Sequence, residues 1–415
     1  MQEQFYDLVS GRKTGISASI LRSALRLLEF PYSTVIACRN LLYDKNIFAT
    51  HHLPVPMISV GNLTLGGTGK SPMTAWLCQH FLEQNLQPGL VSRGYGKGKH
   101  NTNDEFLEMS HRFPAVPHLQ NPHRATAIQE LLRAQPVDVP VDVIVLDDAF
   151  QHRQVARNLD IVLLDATAPF GFGHIFPRGT LREPVGELRR ADVVLLTRAD
   201  LVDEAQRQEI QQRVLAINPK IVWGETVHVP TALISPDSTS EAIESIRGRS
   251  ALAFCGIGNP AAFRKTLERC GVEIAKLMTF PDHHRYSARD VDGILRTARE
   301  LGTDLILCTM KDLVKWDATA ATIGKVGTRP SAAESHKVGT RPPGGCVGAA
   351  DWNAQNAEYR SCRPAVGNLP SAPGSRQPAD CETCSYPAIR AVLIEIQFTQ
   401  GESAVRECID SRVRP

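Results

Sequence analysis

The sequence predicts an α/β fold: a mostly parallel sheet covered on both faces, followed by a smaller α/β unit. Three observations predict it. Apolar strand-like runs alternate with helical patterns from Val55 to about Trp223, the signature of a parallel sheet with crossover helices. A glycine-rich turn joins the first run to the first helical pattern. The strand-turn-helix pattern then restarts near Ser250.

The first run is Val55 to Val60, and the turn after it is Gly66-Gly-Thr-Gly69, followed by Lys70 and Ser71. Met73, Trp76, Leu77 and Phe81 then recur at helical spacing. Strand, glycine loop, Lys-Ser and helix form the phosphate cradle of a P-loop NTPase. In that arrangement the amides of Gly66, Gly67, Thr68 and Gly69 and the helix N-terminus face phosphate oxygens of ATP. Lys70 reaches the β- and γ-phosphates, and the Ser71 hydroxyl holds Mg²⁺. Pro72 suits the first helical turn, where its missing N–H is not needed. One position departs from the strict pattern: Thr64 stands where a glycine is expected.

Further strands are expected at 89–92, 141–147, 160–165 and 192–197, with a helix over His123 to Arg133. The run ending in Asp147-Asp148 reads as the Walker B strand, whose terminal acid completes the magnesium site. Ligands in such sheets bind at the carboxyl ends of strands. The glycine loop, Arg93-Gly-Tyr-Gly96 and the paired aspartates all follow strands and share that edge.

The second unit opens with a strand and glycine turn over Ala251 to Pro260, with strands at 274–279 and 304–308 and a helix from near Ala288. Gly256-Ile-Gly258 lacks the third glycine of a dinucleotide fingerprint and is read as a packing turn. These patterns divide the chain into residues 1–223 and 224–415. From about 317 to 385 the composition turns to Gly, Pro, Ala and Ser, and Lys325 to Pro330 recurs as Lys337 to Pro342. The expectation is a disordered insertion. Its Cys346, Cys362, Cys381 and Cys384 offer a zinc alternative, but with a single CxxC and no evident core. A core strand returns at Ala391 to Phe398.

The composition, 42% hydrophobic and 22% charged with a net charge of +2, is ordinary for a globular protein and gives no reason to expect nucleic-acid binding. Nothing in it points to an obligate protein partner. Of ten cysteines, Cys38, Cys78, Cys255, Cys270 and Cys308 sit in apolar contexts, as reduced core residues of a cytosolic protein do. Met1 to Phe5 lacks the basic and apolar regions of a signal peptide. The stretch Ile20 to Tyr43 is apolar but interrupted by Arg22, Arg26, Glu29, Pro31 and Arg39, so it does not read as a membrane span. Two readings stay open: a basic amphipathic segment in a membrane interface, or a helix packed on the domain.

Several segments together resemble the tetraacyldisaccharide 4′-kinases of lipid A biosynthesis. They are Arg39 to Lys45, Pro54 to Leu63, Gly66 to Pro72, Ser92 to Gly96, Asp104-Glu105, Leu146 to Arg153, Leu181 to Pro184, Phe280 to His283 and Thr309 to Asp312. The D-D-x-F-Q-H-R and F-P-D-H segments are the most specific. The resemblance implies transfer of the ATP γ-phosphoryl group to the 4′-hydroxyl of a lipid A disaccharide precursor. It also implies peripheral work at the cytoplasmic face of the inner membrane and two α/β domains around a cleft. It tilts the N-terminal segment toward membrane contact.

The same resemblance assigns Asp104 as base and His283 as its partner, beside Lys70. Asp147, Asp148 and Glu183 join Ser71 around magnesium. Arg93, Gln151, His152, Arg153 and Arg182 are candidates for facing phosphate or sugar. Read without the resemblance, Asp104-Glu105 is a helix N-terminus, where acids are favoured, and Arg182-Glu183 a surface pair. The chain departs from the family at Asn103, where glycine is usual, at Phe106 for proline and Met310 for glutamate, and in a short stretch before Asp104. Phe170 to His174 receives no role. A rival class is a P-loop GTPase or regulatory ATPase acting as a switch, since Thr197-Arg-Ala-Asp200 resembles the guanine-reading [NT]KxD element. A nucleotide-dependent binding module without turnover is a third.

Overall fold

The computed structural model describes residues 2–94, 103–134, 140–316 and 387–413. The chain forms two compact units, Met1–Val229 with Ile394–Pro415, and Pro230–Leu393.

The first unit opens with helices α1 (Gln2–Val9) and α2 (Ile16–Asp44). There follow β1 (Met57–Asn62), α3 (Lys70–Glu83), β2 (Pro88–Ser92), α4 (Asp104–Arg112), β3 (His118–Gln120) and α5 (Arg124–Ala134). Next come β4 (Val143–Asp147), β5 (Leu159–Asp165), β6 (Val193–Thr197), α6 (Glu204–Ile217) and the start of β7 (Val222–Ile234). The strand order β7-β6-β5-β1-β4-β2-β3 is parallel throughout. Every residue of β1, β2, β4 and β6 is buried, as strands covered on both faces must be. Alternate residues divide between the faces. Ile58, Val60, Val143 and Val145 pack under α3 and α4, whereas Met57, Ile144 and Leu146 pack under α5. The first strand starts later than expected because Pro56 has no N–H for the ladder; its carbonyl accepts from Ile144.

The second unit holds the end of β7, β8 (Ser240–Ala242), β9 (Ser250–Cys255), α7 (Pro260–Arg269), β10 (Glu273–Thr279), α8 (Ala288–Glu300) and β11 (Leu305–Thr309). Here β9 lies between β10 and β11, and β11 pairs in parallel with the start of β12 (Ala388–Gln400). The core is Leu252, Phe254, Tyr286, Ile294, Ile306 and Leu313 with their neighbours. The chain then returns to the first unit through the end of β12 and α9 (Glu402–Val413). There Val405, Ile409 and Val413 join the core of Phe81 and Leu195. The expected division after residue 223, with everything beyond it in one unit, differs on both counts. An amphipathic helix after the last strand has no local signal for which core it will meet.

Helix α2 lies on the first unit with most of its length exposed. Only Ala18 and Asn40 are buried along its length, while Ile20 is 66%, Leu27 77% and Phe30 74% exposed. Cys38 is exposed on the same helix and not the core residue expected, whereas Cys78, Cys255 and Cys308 are buried. No helix among the described residues is long and apolar enough to cross a membrane. The segment 317–385, its repeated hexapeptide and its four cysteines lie outside the described residues, as do Tyr95 and Gly96.

His118 on β3 is a buried, neutral imidazole, with Nε2 2.9 Å from the Ser92 hydroxyl and its ring against Phe106. Burial pushes its pKa down to about 3. The unfolded chain binds a proton near pH 6.5 that the folded form refuses, so this contribution is full above about pH 6.5 and is lost as pH falls toward 3. The slope is about 1.4 kcal/mol per pH unit for one proton. Urea unfolding at pH 7 and pH 5 should therefore show a smaller pH-dependent loss for His118→Gln than for the wild type. Equal losses would mean that His118 accepts its proton in the folded state.

Candidate active site

The site stands at the carboxyl ends of β1 and β4. Val60 is the register partner of Asp147, so the loop leaving β1 and the two aspartates leaving β4 emerge side by side. The chain runs from β1 outward to β2 and β3, returns to β4, then crosses to β5 on the other side of β1. Such a reversal opens a crevice beyond the strand ends.

The loop has the conformation a phosphate cradle requires. Gly69 caps α3 in the left-handed region, with φ 90°. A Cβ there would be strained and would also lie 2.8 Å from His228 Nε2. Gly66 and Gly67 are exposed, and the buried Thr68 hydroxyl has no partner. The unexpected Thr64 has a physical explanation. It forms a bridge with Leu181, flanked by hydrogen bonds from Leu65 N to Thr180 O and from Arg182 N to Leu63 O. An extended residue at this point does not need glycine's freedom.

Asp148 turns the chain with φ 48°. Lys70 Nζ lies 3.7 Å from its Oδ1, and Arg182 Nη1 lies 2.8 and 3.0 Å from its two oxygens. Burial raises the Asp148 pKa, but Lys70 and Arg182 outweigh it, and the carboxyl sits below its ordinary range. Asp147 is deeper, and Thr74 Oγ1 approaches its Oδ1 at 3.4 Å. Burial, then the charges of Glu105 and Asp148, push its pKa up to about 7. The turn itself is held by Arg124, 1% exposed, whose Nη2 donates to the carbonyls of Asp147 and Asp148 at 2.5 and 2.9 Å. Sequence reasoning missed Arg124. A signal existed: an arginine in the first turn of α5 opposes the helix dipole and so must answer to something else.

The remaining candidates fall into groups. Asp104 and Glu105 do begin a helix, α4, capped by the Asn103 side chain accepting from Phe106 N. Asparagine at this departure from the family pattern is thus a good cap. Glu105 is near enough to Asp147 to raise its pKa. Arg93 is exposed just beyond β2. His152 has its pKa lowered to about 4, first by burial and then by Arg124, Arg157, Arg39 and Arg93. Gln151 Nε2 donates to Asn62 O and Glu183 Oε1 at 2.9 Å each.

Glu183, 1% exposed, also accepts from Asn40 Nδ2 and Arg190 Nη2 at 3.2 and 2.8 Å. Arg153 does not point into the group around Asp148. It donates to Asn40 O and Asp44 Oδ1 and stacks over Tyr43, fixing the end of α2. The Phe170–His174 segment, given no role from sequence, anchors the same helix: Glu29 accepts from Ile175 N and pairs with His174. His283 belongs to the second unit, with φ 59°, its N–H bonded to Gly256 O and its side chain 67% exposed. There Asp312, fully buried, accepts from Gly256 N, Tyr286 Oη and Thr309 Oγ1 and pairs with Lys315.

The residues fit magnesium with nucleotide better than a metal held by protein alone. Among the described residues no group of three or more His, Cys, Asp or Glu could hold a metal ion. Magnesium bound through one or two carboxylates and substrate phosphates needs no such cage, and Ser71, Asp147 and Asp148 suit it. The orphaned Thr68 hydroxyl and the left-handed Gly69 turn fit a phosphate group.

Fold and site together define a P-loop nucleotide-binding protein. Residues 21–334 match the family model described as Tetraacyldisaccharide-1-P 4′-kinase. The tetraacyldisaccharide 4′-kinase of Anaeromyxobacter dehalogenans (strain 2CP-C) is 36% identical over 330 residues, which is 75% of this chain and 86% of that protein. Its counterpart in Syntrophus aciditrophicus (strain SB) is 37% identical over 317 residues, 70% of this chain and 83% of that one. This chain therefore belongs to the tetraacyldisaccharide 4′-kinase family, and the switch and binding-module alternatives are not favoured. The fold is that of LpxK from Aquifex aeolicus, solved in complex with ATP, at a TM-score of 0.62 and 22% identity over 95% of this chain and 99% of that one.

Gly61 is what lets the aspartate turn lie against β1: a Cβ there would sit 2.5 Å from Phe150 Cβ and 2.7 Å from its backbone nitrogen. Gly61→Ala should lower stability by about 1–3 kcal/mol and reduce turnover by displacing Asp147 and Asp148. Urea unfolding and steady-state kinetics check this; wild-type values for both would mean that the turn yields freely.

Proposed function

We propose that this chain transfers the γ-phosphoryl group of ATP to the 4′-hydroxyl of a tetraacyl glucosamine disaccharide 1-phosphate at a membrane surface. Within the family it belongs to, the observation that carries this reading is the juxtaposition of Lys70, at the start of α3, with Asp148, just beyond β4, 3.7 Å apart. One group meets phosphate and the other its counter-ion. The ATP held by the Aquifex aeolicus protein supports ATP as donor.

Phosphoryl transfer rests on positioning and charge neutralisation. The loop amides and the α3 N-terminus hold the phosphate chain, and Lys70 neutralises charge on the transferring group. Ser71, Asp147 and Asp148 would hold magnesium, which would supply further neutralisation of the phosphate charge. Arg182 fixes Asp148 so that Lys70 is not its sole counter-charge. Asp104 takes the proton of the attacking hydroxyl, and His283 is the second proposed catalytic residue. Arg93 and His152 meet the phosphate or sugar of the acceptor. Glu183, which orders Gln151 and Arg190, would be a further group near the metal.

The exposed apolar face of α2 supports contact with lipid. Ile20, Leu27 and Phe30 are exposed on a helix also carrying Arg22, Arg26 and Arg39, the mix of an interfacial helix. An acceptor with four acyl chains is then met where it resides.

ATP consumption with and without the tetraacyl disaccharide 1-phosphate in mixed micelles tests the proposal. The expected result is acceptor-dependent consumption and a new 4′-phosphomonoester. Acceptor-independent hydrolysis, or a preference for GTP, would contradict it. In the same assay Asp104→Asn and His283→Ala should each lower kcat by roughly 10²–10⁴-fold, with ATP affinity little changed. Their double variant should be little worse than the worse single one. Unchanged kcat for Asp104→Asn would remove it as the base.

A further inference from the structure

Thr197-Arg-Ala-Asp200 was singled out as a degenerate guanine-reading element, and its geometry gives it another task. Thr197 ends β6 and is 1% exposed. Its hydroxyl donates to the carbonyl of Thr68 at 3.0 Å and is 3.3 Å from Leu164 O. Arg198, in the left-handed region with φ 56°, donates through Nη2 to the carbonyl of Gly67 at 2.9 Å. Its Nη1 is paired with Asp165, which ends β5. Two consecutive carbonyls of the phosphate loop are thus held by two consecutive residues at the end of β6, two strands away from β1.

The consequence follows from peptide geometry. In a planar trans peptide the C=O and the next residue's N–H point in opposite directions. Holding the carbonyls of Gly67 and Thr68 toward β6 turns the N–H groups of Thr68 and Gly69 away from it, into the cradle. Neither N–H has a backbone acceptor among the described residues, and the buried Thr68 hydroxyl has no partner either. Among the described residues no protein acceptor faces these donors.

We propose that Thr197 and Arg198 are positioning residues that pre-orient the Thr68 and Gly69 amides for a nucleotide's phosphate chain, and that this element does not read the base. The inference rests on the phosphate-loop reading of Gly66 to Ser71 and deepens it. The chemistry it recognises is the polyphosphate, so base identity is irrelevant to it.

The test compares ATP, GTP and tripolyphosphate binding by calorimetry in the full chain for Thr197→Val, Thr197→Ser, Arg198→Ala and Lys70→Ala. Thr197→Val keeps the shape and removes the donor, and should weaken all three ligands by a common factor of about tenfold, the size of one net hydrogen bond. Arg198→Ala should do the same, and Thr197→Ser should restore binding. KM for the lipid acceptor should stay put. A change in the ATP-to-GTP ratio would make the element a base reader and overturn the proposal. Wild-type affinities in Thr197→Val, or no rescue by serine, would also overturn it. Lys70→Ala separates the two levels: if it binds tripolyphosphate normally, the phosphate-loop reading itself fails; if it alone is weakened, only the positioning role does.

Discussion

Two adjacent carboxylates at the end of a buried strand impose the constraint on which this site depends. Asp147 and Asp148 repel each other, and burial opposes charging either. The fold answers by giving them different surroundings. Asp148 faces Lys70 and Arg182 and stays ionised below its ordinary range. For Asp147, burial and then the charges of Glu105 and Asp148 outweigh Lys70 and Arg124, and its pKa rises to about 7. Arg124 neither pairs with a carboxylate oxygen nor reaches solvent; it binds the two backbone carbonyls and holds the turn that separates the pair. A divalent cation beside the pair would let both ionise together.

The same constraint organises the surroundings. Arg182, needed by Asp148, leads directly into Glu183, which is closed in by Asn40, Gln151 and Arg190. Asn40 belongs to α2, and Arg39 and Arg153 add bonds between α2 and the Gln151–Arg153 segment. The helix with the exposed apolar face is therefore fastened at its C-terminal end to the loop that follows the aspartate turn. The helix with the exposed apolar face and the aspartate turn thus share one hydrogen-bonded network, within a single unit of the chain.

What the sequence disclosed follows from the range of the interactions involved. The strand, glycine loop and α3 were legible because each is set by neighbours in the chain: apolar runs, left-handed glycines and helical spacing. So were the strand before Asp147 and the restart near Ser250. The return of α9 to the first core was not, because Val405 and Ile409 meet Phe81 and Leu195 across half the chain's length or more. Arg124 could be suspected from its place in the first turn of α5, but the two carbonyls it holds, 23 and 24 residues on, could not be read from the sequence. Thr197 and Arg198 were legible as a motif but not as a task, since the carbonyls they hold are visible only in three dimensions. Arg153 looked like an acceptor contact because it adjoins Gln151 and His152, yet its neighbour in space is Asp44.

The measurement that bears most directly on this charge balance is ATP binding, with and without magnesium, to wild-type chain and Asp148→Asn. If Asp148 serves the cation while also pairing with Lys70, removing its charge should weaken binding of magnesium–ATP and leave metal-free ATP binding unchanged or stronger, because Lys70 is freed and one repulsive carboxylate is gone. Equal loss of both, or no change in either, would contradict the account.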